Sequence, residues 1–251
     1  MIPLRDNIPT RRLSVLTLAL IAANVVMFFV FEQARIGLDG ASLNDQRLFD
    51  YGAIPYEITH PGEQCRPAGS STIECGTVGS RPSTLLTLLT SMFLHGGLLH
   101  LAGNMLFLWI FGNNIEDSMG RIRFLLFYLL GGLVALLAQT AADPASPVPT
   151  VGASGAVAAV LGGYALLYPR ARVVTFVIII LFFTIVELPA LLVLGGWFLL
   201  QVLNATAEQV GQGGVAYYAH IGGFVFGLLL IKLFANRYKR DYEAPARLPV
   251  Y

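Results

Sequence analysis

Five polar side chains in an otherwise apolar chain have the types and spacings that hydrolysis of a carbonyl compound requires. Ser154 lies among very small residues, Val151-Gly152-Ala153-Ser154-Gly155-Ala156, where an apolar segment reaching about Leu167 begins. A serine hydroxyl becomes a nucleophile when a base sits beside it, and histidine has the unperturbed pKa suited to that task at neutral pH. His220, in Ala219-His220-Ile221-Gly222-Gly223-Phe224-Val225-Phe226-Gly227, is the candidate base. The tetrahedral intermediate needs donors aimed at its oxyanion. His100 and Asn104 are spaced i, i+4 and so project from one helical face; with the backbone N–H of Ser154 they form the candidate oxyanion site. His95 precedes His100 by five residues, a poor spacing for the same face, and is read as tying down the segment before it.

Other chemistries fit these residues less well. A serine at a helix start is often only an N-cap. The GxSxG pattern of soluble hydrolases is not met, because Ala156 replaces the second glycine and no strand is predicted before it. A metal site built from His95, His100 and His220 would lack an i, i+4 histidine pair and any cysteine or carboxylate partner, so no metal or other cofactor is expected. No carboxylate is placed to complete a Ser-His-Asp arrangement: Glu116 and Asp117 fall at the far end of their segment and Glu187 in an ambiguous stretch. The expectation is a Ser–His dyad whose histidine is oriented by packing.

The elements that carry these residues follow from hydropathy. Of 251 residues, 55% are hydrophobic and 12% charged, about half the charge content of a soluble domain, so an integral membrane protein is predicted and the lipid bilayer is its first partner. A net charge of +1 points to no nucleic-acid partner, and nothing sets an oligomeric state. Residues 1–12 are polar, and Leu13 to Phe31 form span one, too long for the apolar core of a secretory signal. Residues 32–83 read as a long polar loop rich in Gly and Pro, holding Cys65 and Cys75; one local disulfide and two free thiols both remain open. The apolar run 85–94 is too short to cross and suits an interfacial or re-entrant segment, 84–97.

Span two runs from Leu98 to Gly112 and ends at Asn113, Asn114, Glu116 and Asp117; span three covers about Ile122 to Ala142; span four opens at Ser154. The apolar stretch from Val173 to Asn204, interrupted by Glu187 and Pro189, reads as one span with an interfacial lead-in or as two short spans. The last span runs from Val215 to about Phe234, before a basic tail, 236–251. No repeat relates the two halves, which disfavours a channel or transporter.

Positive charge favours the cytoplasmic side of short loops. Six spans with both termini cytoplasmic place Arg5, Arg11, Arg12, Arg121, Arg123, Arg170, Arg172 and the tail inside, whereas seven would move the tail out. The fold class expected is therefore an all-α polytopic membrane protein of six transmembrane helices, residues 13–235, in a plasma or inner membrane. This count also brings His95, His100, Asn104, Ser154 and His220 to one depth near the outer face. Structural packing explains any one of them but not the shared depth. Gly223 and Gly227 lie on one face of the last span, facing a counterpart of Gly155, Ala158, Ala159 and Gly162, so close helix contact would join serine to histidine.

At these residues the chain resembles the rhomboid family of intramembrane serine proteases. The resemblance covers residues 13 to 235. It rests on His95-Gly96-Gly97-Leu98-Leu99-His100-Leu101-Ala102-Gly103-Asn104, Gly152-Ala153-Ser154-Gly155, and Ala219-His220 with Gly223 and Gly227. It implies a six-helix bundle with a partly embedded first loop, a Ser154 nucleophile, a His220 base, and an oxyanion site from His100, Asn104 and the Ser154 amide. It also implies single-pass transmembrane proteins as substrates, cut near the outer face after a small residue. The competing class is an inactive relative that binds membrane clients; such relatives typically lack the serine or the histidine, and both are present here. Two departures stand out. Some members carry a Trp-Arg pair in the first loop, where Arg81 is followed by Pro82. Some carry a tyrosine four residues after the serine, where Ala158 stands, leaving Tyr217 and Tyr218 as candidates to hold His220.

Overall fold

Among the described residues, four helices are long and apolar enough to cross a membrane: Leu98–Met119, Arg121–Ala142, Ala190–Ala207 and Tyr217–Phe234. Of the shorter apolar helices, Val15–Phe31 and Ser154–Leu167 pack among them, and Thr84–Phe93 lies at the end of the long loop. These positions come from a computed structural model, which describes residues 2–37, 40–68, 72–77, 79, 81–179, 182–207 and 215–236. The basic tail expected at 236–251 therefore lies, apart from Asn236, outside the described residues.

Helix α1, Val15–Val26, continues as a wider π turn, Met27–Phe31. Helices α2, Asp45–Tyr51, and α3, Pro55–Thr59, belong to the segment after it, and α4, Thr84–Thr90, ends in a 3-10 turn, Ser91–Phe93. The second long helix comprises α5, Leu98–Phe107, a π turn at Leu108–Gly112, and α6, Asn113–Met119. Next come α7, Arg121–Ala142, α8, Ser154–Leu167, α9, Ala190–Ala207, and α10, Tyr217–Phe234.

Helix α8 is the axis of the molecule. Every residue of it except Ser154 and Leu166 is buried, as expected of a helix that is apolar on all sides. Its most extensive contact is with α10, and α7 closes the third side of the group. A Cβ on Gly227 would run into the carbonyl oxygen of Ala159, and one on Gly223 into that of Gly155. Only glycine lets these two backbones come so near, and dispersion contact over the whole face is the return.

Two expectations are corrected. The polar group at the end of span two is helical, and Glu116 within it is 3% exposed. Its carboxylate accepts from the backbone N–H groups of Leu16 (3.0 Å) and Thr17 (2.7 Å) and from the Thr17 hydroxyl (2.7 Å). These are the orphan donors of α1's first turn, and an anion there also meets the positive end of the helix. The lead-in to the fifth long segment is neither helix nor span. It is a β-hairpin, because runs such as Val173-Val174-Thr175-Phe176-Val177 are β-branched and aromatic. In the hairpin β6, Arg172–Ile179, pairs antiparallel with β7, Phe182–Pro189, and with β1, Ile2–Asp6, so that the N-terminal polar segment becomes an edge strand.

The long loop carries short elements of its own. Strands β2, Arg35–Gly37, and β3, Gly40–Ser42, form one ribbon; β4, Gln64–Pro67, and β5, Ile73–Thr77, form another. A disulfide joins Cys65 to Cys75 across the second, and Cys65 packs with Phe49 and Ile54. Arg81 clamps the loop by pairing with the buried Glu57 carboxylate and donating to the carbonyls of Phe49 (2.5 Å), Asp50 (3.2 Å) and Gly52 (3.1 Å). A reciprocal backbone bridge between Ala53 and Thr150 then lays this loop against the connection that leads to Ser154.

Candidate active site

Ser154 is the first residue of α8, and the turn before it requires glycine. Gly152 has φ +127°, a conformation open to few side chains, and a Cβ there would strike the imidazole of His100. The Gly152 N–H donates to the Ser91 carbonyl (2.8 Å), which ties the start of α8 to the 3-10 turn that ends α4. First-turn N–H groups have no acceptor within their own helix, so the amide of Ser154 is not used by α8 itself.

His220 lies in the first turn of α10 and is 8% exposed. Its Nε2 is 2.7 Å from Ser154 Oγ, a hydrogen bond spanning 66 residues of sequence. Its Nδ1 is 2.7 Å from Oε1 of Gln201 on α9. Packing alone was expected to orient the ring, and this contact corrects that expectation. Trp197, one turn before Gln201, sets its indole 5.7 Å from the imidazole at 38°. Tyr217 meets the ring edge-on at 6.5 Å, and Tyr218 donates instead to the Ala205 carbonyl (3.3 Å). Gln201 and Trp197 belong to no local motif, so their place beside His220 was not legible in the sequence. The available signal was a glutamine in a span, where polar groups are costly, spaced i, i+4 from a tryptophan.

His100 and Asn104 stand on the face of α5 turned toward Ser154. The Gly96 N–H donates to His100 Nδ1 (3.3 Å), so a neutral ring carries its hydrogen on Nε2, the atom beside Gly152 and the site. Asn104 is buried, and its Nδ2 has no acceptor among the described residues. His95 is fully buried, with its ring edge to face with that of His100 at 5.1 Å. Its backbone N–H donates to both carboxylate oxygens of Glu32 (3.1 and 3.2 Å), pinning the turn before α5 to the end of the first apolar helix. His100, Asn104, Ser154 and His220 border one cavity of about 670 Å³, with Trp197, Gln139 and Asp143 also on its wall. Of the supporting glycines, Gly155 packs on Ala135 of α7 while Gly223 and Gly227 bring α10 onto α8.

A serine within hydrogen-bond distance of a histidine, with His100 and Asn104 bordering the same cavity, lies in a bundle of apolar helices typical of a polytopic membrane protein. The Rhomboid domain model matches residues 82–237. The chain is 36% identical over 152 residues to the Bacillus subtilis protein named rhomboid protease GluP, covering 61% of this chain and 24% of that one. It is 33% identical over 151 residues to yeast rhomboid protein 1, mitochondrial (57% and 40%), and 29% over 145 residues to the human presenilin-associated rhomboid-like protein, mitochondrial (56% and 36%). The chain belongs to the rhomboid family. Its matches span between about a quarter and two fifths of the length of these relatives.

Proposed function

We propose that this chain is an intramembrane serine endopeptidase that uses Ser154 and His220 as a catalytic dyad. The observation that carries the reading is the 2.7 Å contact of Ser154 Oγ with His220 Nε2 at the cavity wall. Ser154 Oγ adds to the scissile carbonyl carbon as its proton passes to Nε2. The negative charge on the carbonyl oxygen is met by His100 Nε2–H, Asn104 Nδ2–H and the Ser154 N–H. Collapse of the intermediate breaks the C–N bond, and the leaving amine takes the proton from His220. Water then attacks the acyl ester by the same route, releasing the new carboxylate and restoring Ser154.

The substrates are single-pass transmembrane proteins, cut near the outer face after a small residue. In this reading six spans, with the shorter helices Val15–Phe31 and Ser154–Leu167 counted as crossings, leave both termini on the cytoplasmic side of a plasma or inner membrane. The distribution of arginine supports that orientation. So does the Cys65–Cys75 disulfide, since such bonds persist in oxidising compartments.

The test uses purified protein in detergent micelles with a model transmembrane substrate and a serine-reactive fluorophosphonate. Wild type cleaves and is labelled; Ser154→Ala and His220→Ala remain folded and do neither. Cleavage undiminished in folded Ser154→Ala would overturn the mechanism, and a wild type that neither cleaves nor labels would favour a client-binding relative.

A further inference from the structure

We infer that Gln201 is a positioning residue that fixes His220 in the one neutral tautomer able to act as base toward Ser154; this deepens the dyad reading and rests on it. A neutral imidazole has one N–H and one lone pair, and which nitrogen holds which is set by the partners of the other. The Gln201 amide sits opposite Nδ1 at 2.7 Å and is 8% exposed. Its own orientation is not free: the nitrogen end, Nε2, lies 3.3 Å from the carbonyl oxygen of Trp197 one turn back, and an amide NH2 is the only end that suits a carbonyl. The oxygen end must then face His220, and an oxygen opposite Nδ1 demands that Nδ1 be the donor. Nε2 is left with its lone pair toward the Ser154 hydroxyl, 2.7 Å away.

The chain of donation runs in one direction: Ser154 Oγ–H to His220 Nε2, His220 Nδ1–H to Gln201 Oε1, Gln201 Nε2–H to the Trp197 carbonyl. The opposite tautomer would aim Nε2–H at the hydroxyl and leave a lone pair against an amide oxygen, and that ring is no base. An uncharged amide accomplishes the tautomer selection that a buried aspartate provides in soluble serine hydrolases, without placing an anion among apolar helices, where it would be costly.

The experiment compares wild type, Gln201→Leu and Gln201→Glu by steady-state cleavage of the model substrate, rate–pH profiles and fluorophosphonate labelling. Ser154→Ala and His220→Ala serve as controls. Gln201→Leu is expected to lose roughly 10- to 100-fold in kcat, part of the contribution of a well-placed general base, with KM little changed. Gln201→Glu retains an acceptor and keeps more activity than Gln201→Leu. The acid limb of its rate–pH profile moves to higher pH, because the carboxylate favours the charged imidazolium and more alkali is needed to free Nε2. In wild type, 15N-edited NMR of labelled histidine, assigned by comparison with His220→Ala, reads the proton of neutral His220 on Nδ1; this holds even if Gln201→Leu fails to fold. A proton found on Nε2, or folded Gln201→Leu with unchanged kcat beside inactive Ser154→Ala, would overturn the positioning role and leave the dyad standing. Full activity in the two controls would instead remove the dyad itself.

Discussion

Asn104 separates what a residue does for the fold from what it does for chemistry. Its Nδ2 is buried and has no acceptor among the described residues, and a buried donor left unpaired costs stability. Removing it therefore relieves a penalty while withdrawing one donor from the oxyanion. Asn104→Ala is expected to lower kcat by about 10²-fold, the low end for an oxyanion donor, since His100 and the Ser154 amide still serve. Its melting temperature should match wild type within a few degrees. Cleavage kinetics and thermal unfolding of one micellar preparation check both, and a large loss of stability with little loss of rate would assign Asn104 to packing. The i, i+4 spacing of His100 and Asn104 was readable in the sequence because helix periodicity fixes it. The tautomer of His100 was not, because it depends on the Gly96 N–H, whose direction is set by a turn.

Helices α8 and α10 set the distance between nucleophile and base. The approach of Gly227 to the Ala159 carbonyl, two turns beyond His220, keeps α10 seated on α8. Gly227→Val would force the backbones apart, with an expected loss of about 1–3 kcal/mol from overpacking. Fluorophosphonate labelling of the fraction still folded should fall too, because Ser154 and His220 sit on the two helices being separated. Leu229→Ala, at a position 68% exposed on the same helix, provides the comparison and should change neither quantity appreciably. Labelling unchanged in folded Gly227→Val would mean that the dyad is positioned by its own local contacts. The small-residue stripe that foretold this contact is legible because glycine spacing is sequence-local. The β-hairpin before α9 escaped the same reading, since a continuous apolar run fits a helix and a strand equally.

Over the whole molecule, a buried polar network joins segments far apart in sequence. Asp6 on β1 accepts from Asn114 on α6 (2.7 Å) and from the hydroxyl of Tyr164 on α8 (2.6 Å). Burial pushes its carboxyl up to about 6, with the Tyr164 hydrogen bond acting the other way. A raised carboxyl pKa means that the folded protein holds a proton the unfolded chain has released. The contribution of Asp6 to stability is therefore greatest below about pH 4, falls as pH rises through about 4 to 6, and is constant above that. Asp6→Asn keeps an oxygen to accept both bonds and does not titrate, so the stability difference between variant and wild type should widen in the variant's favour across that window. Thermal unfolding at a series of pH values measures it; a difference independent of pH would show that Asp6 has the same proton affinity in both states.

The sequence by itself determined that the chain is a membrane protein, where most of its apolar helices lie, and which serine, histidines and asparagine are candidates for chemistry. Hydropathy is summed over neighbouring residues, helical faces repeat every few positions, and motif residues are chosen by side-chain type. Only the tertiary structure decided that Gln201 faces His220, that Arg81 and Glu57 hold the outer loop, that Glu116 caps the first helix, and that β1 pairs with β6. Each of these joins residues 19 or more positions apart, with the sole direction of a hydrogen bond as its link. No local pattern encodes such a partner, because the group that satisfies a buried polar atom is whichever one the packed helices and loops bring within about 3 Å.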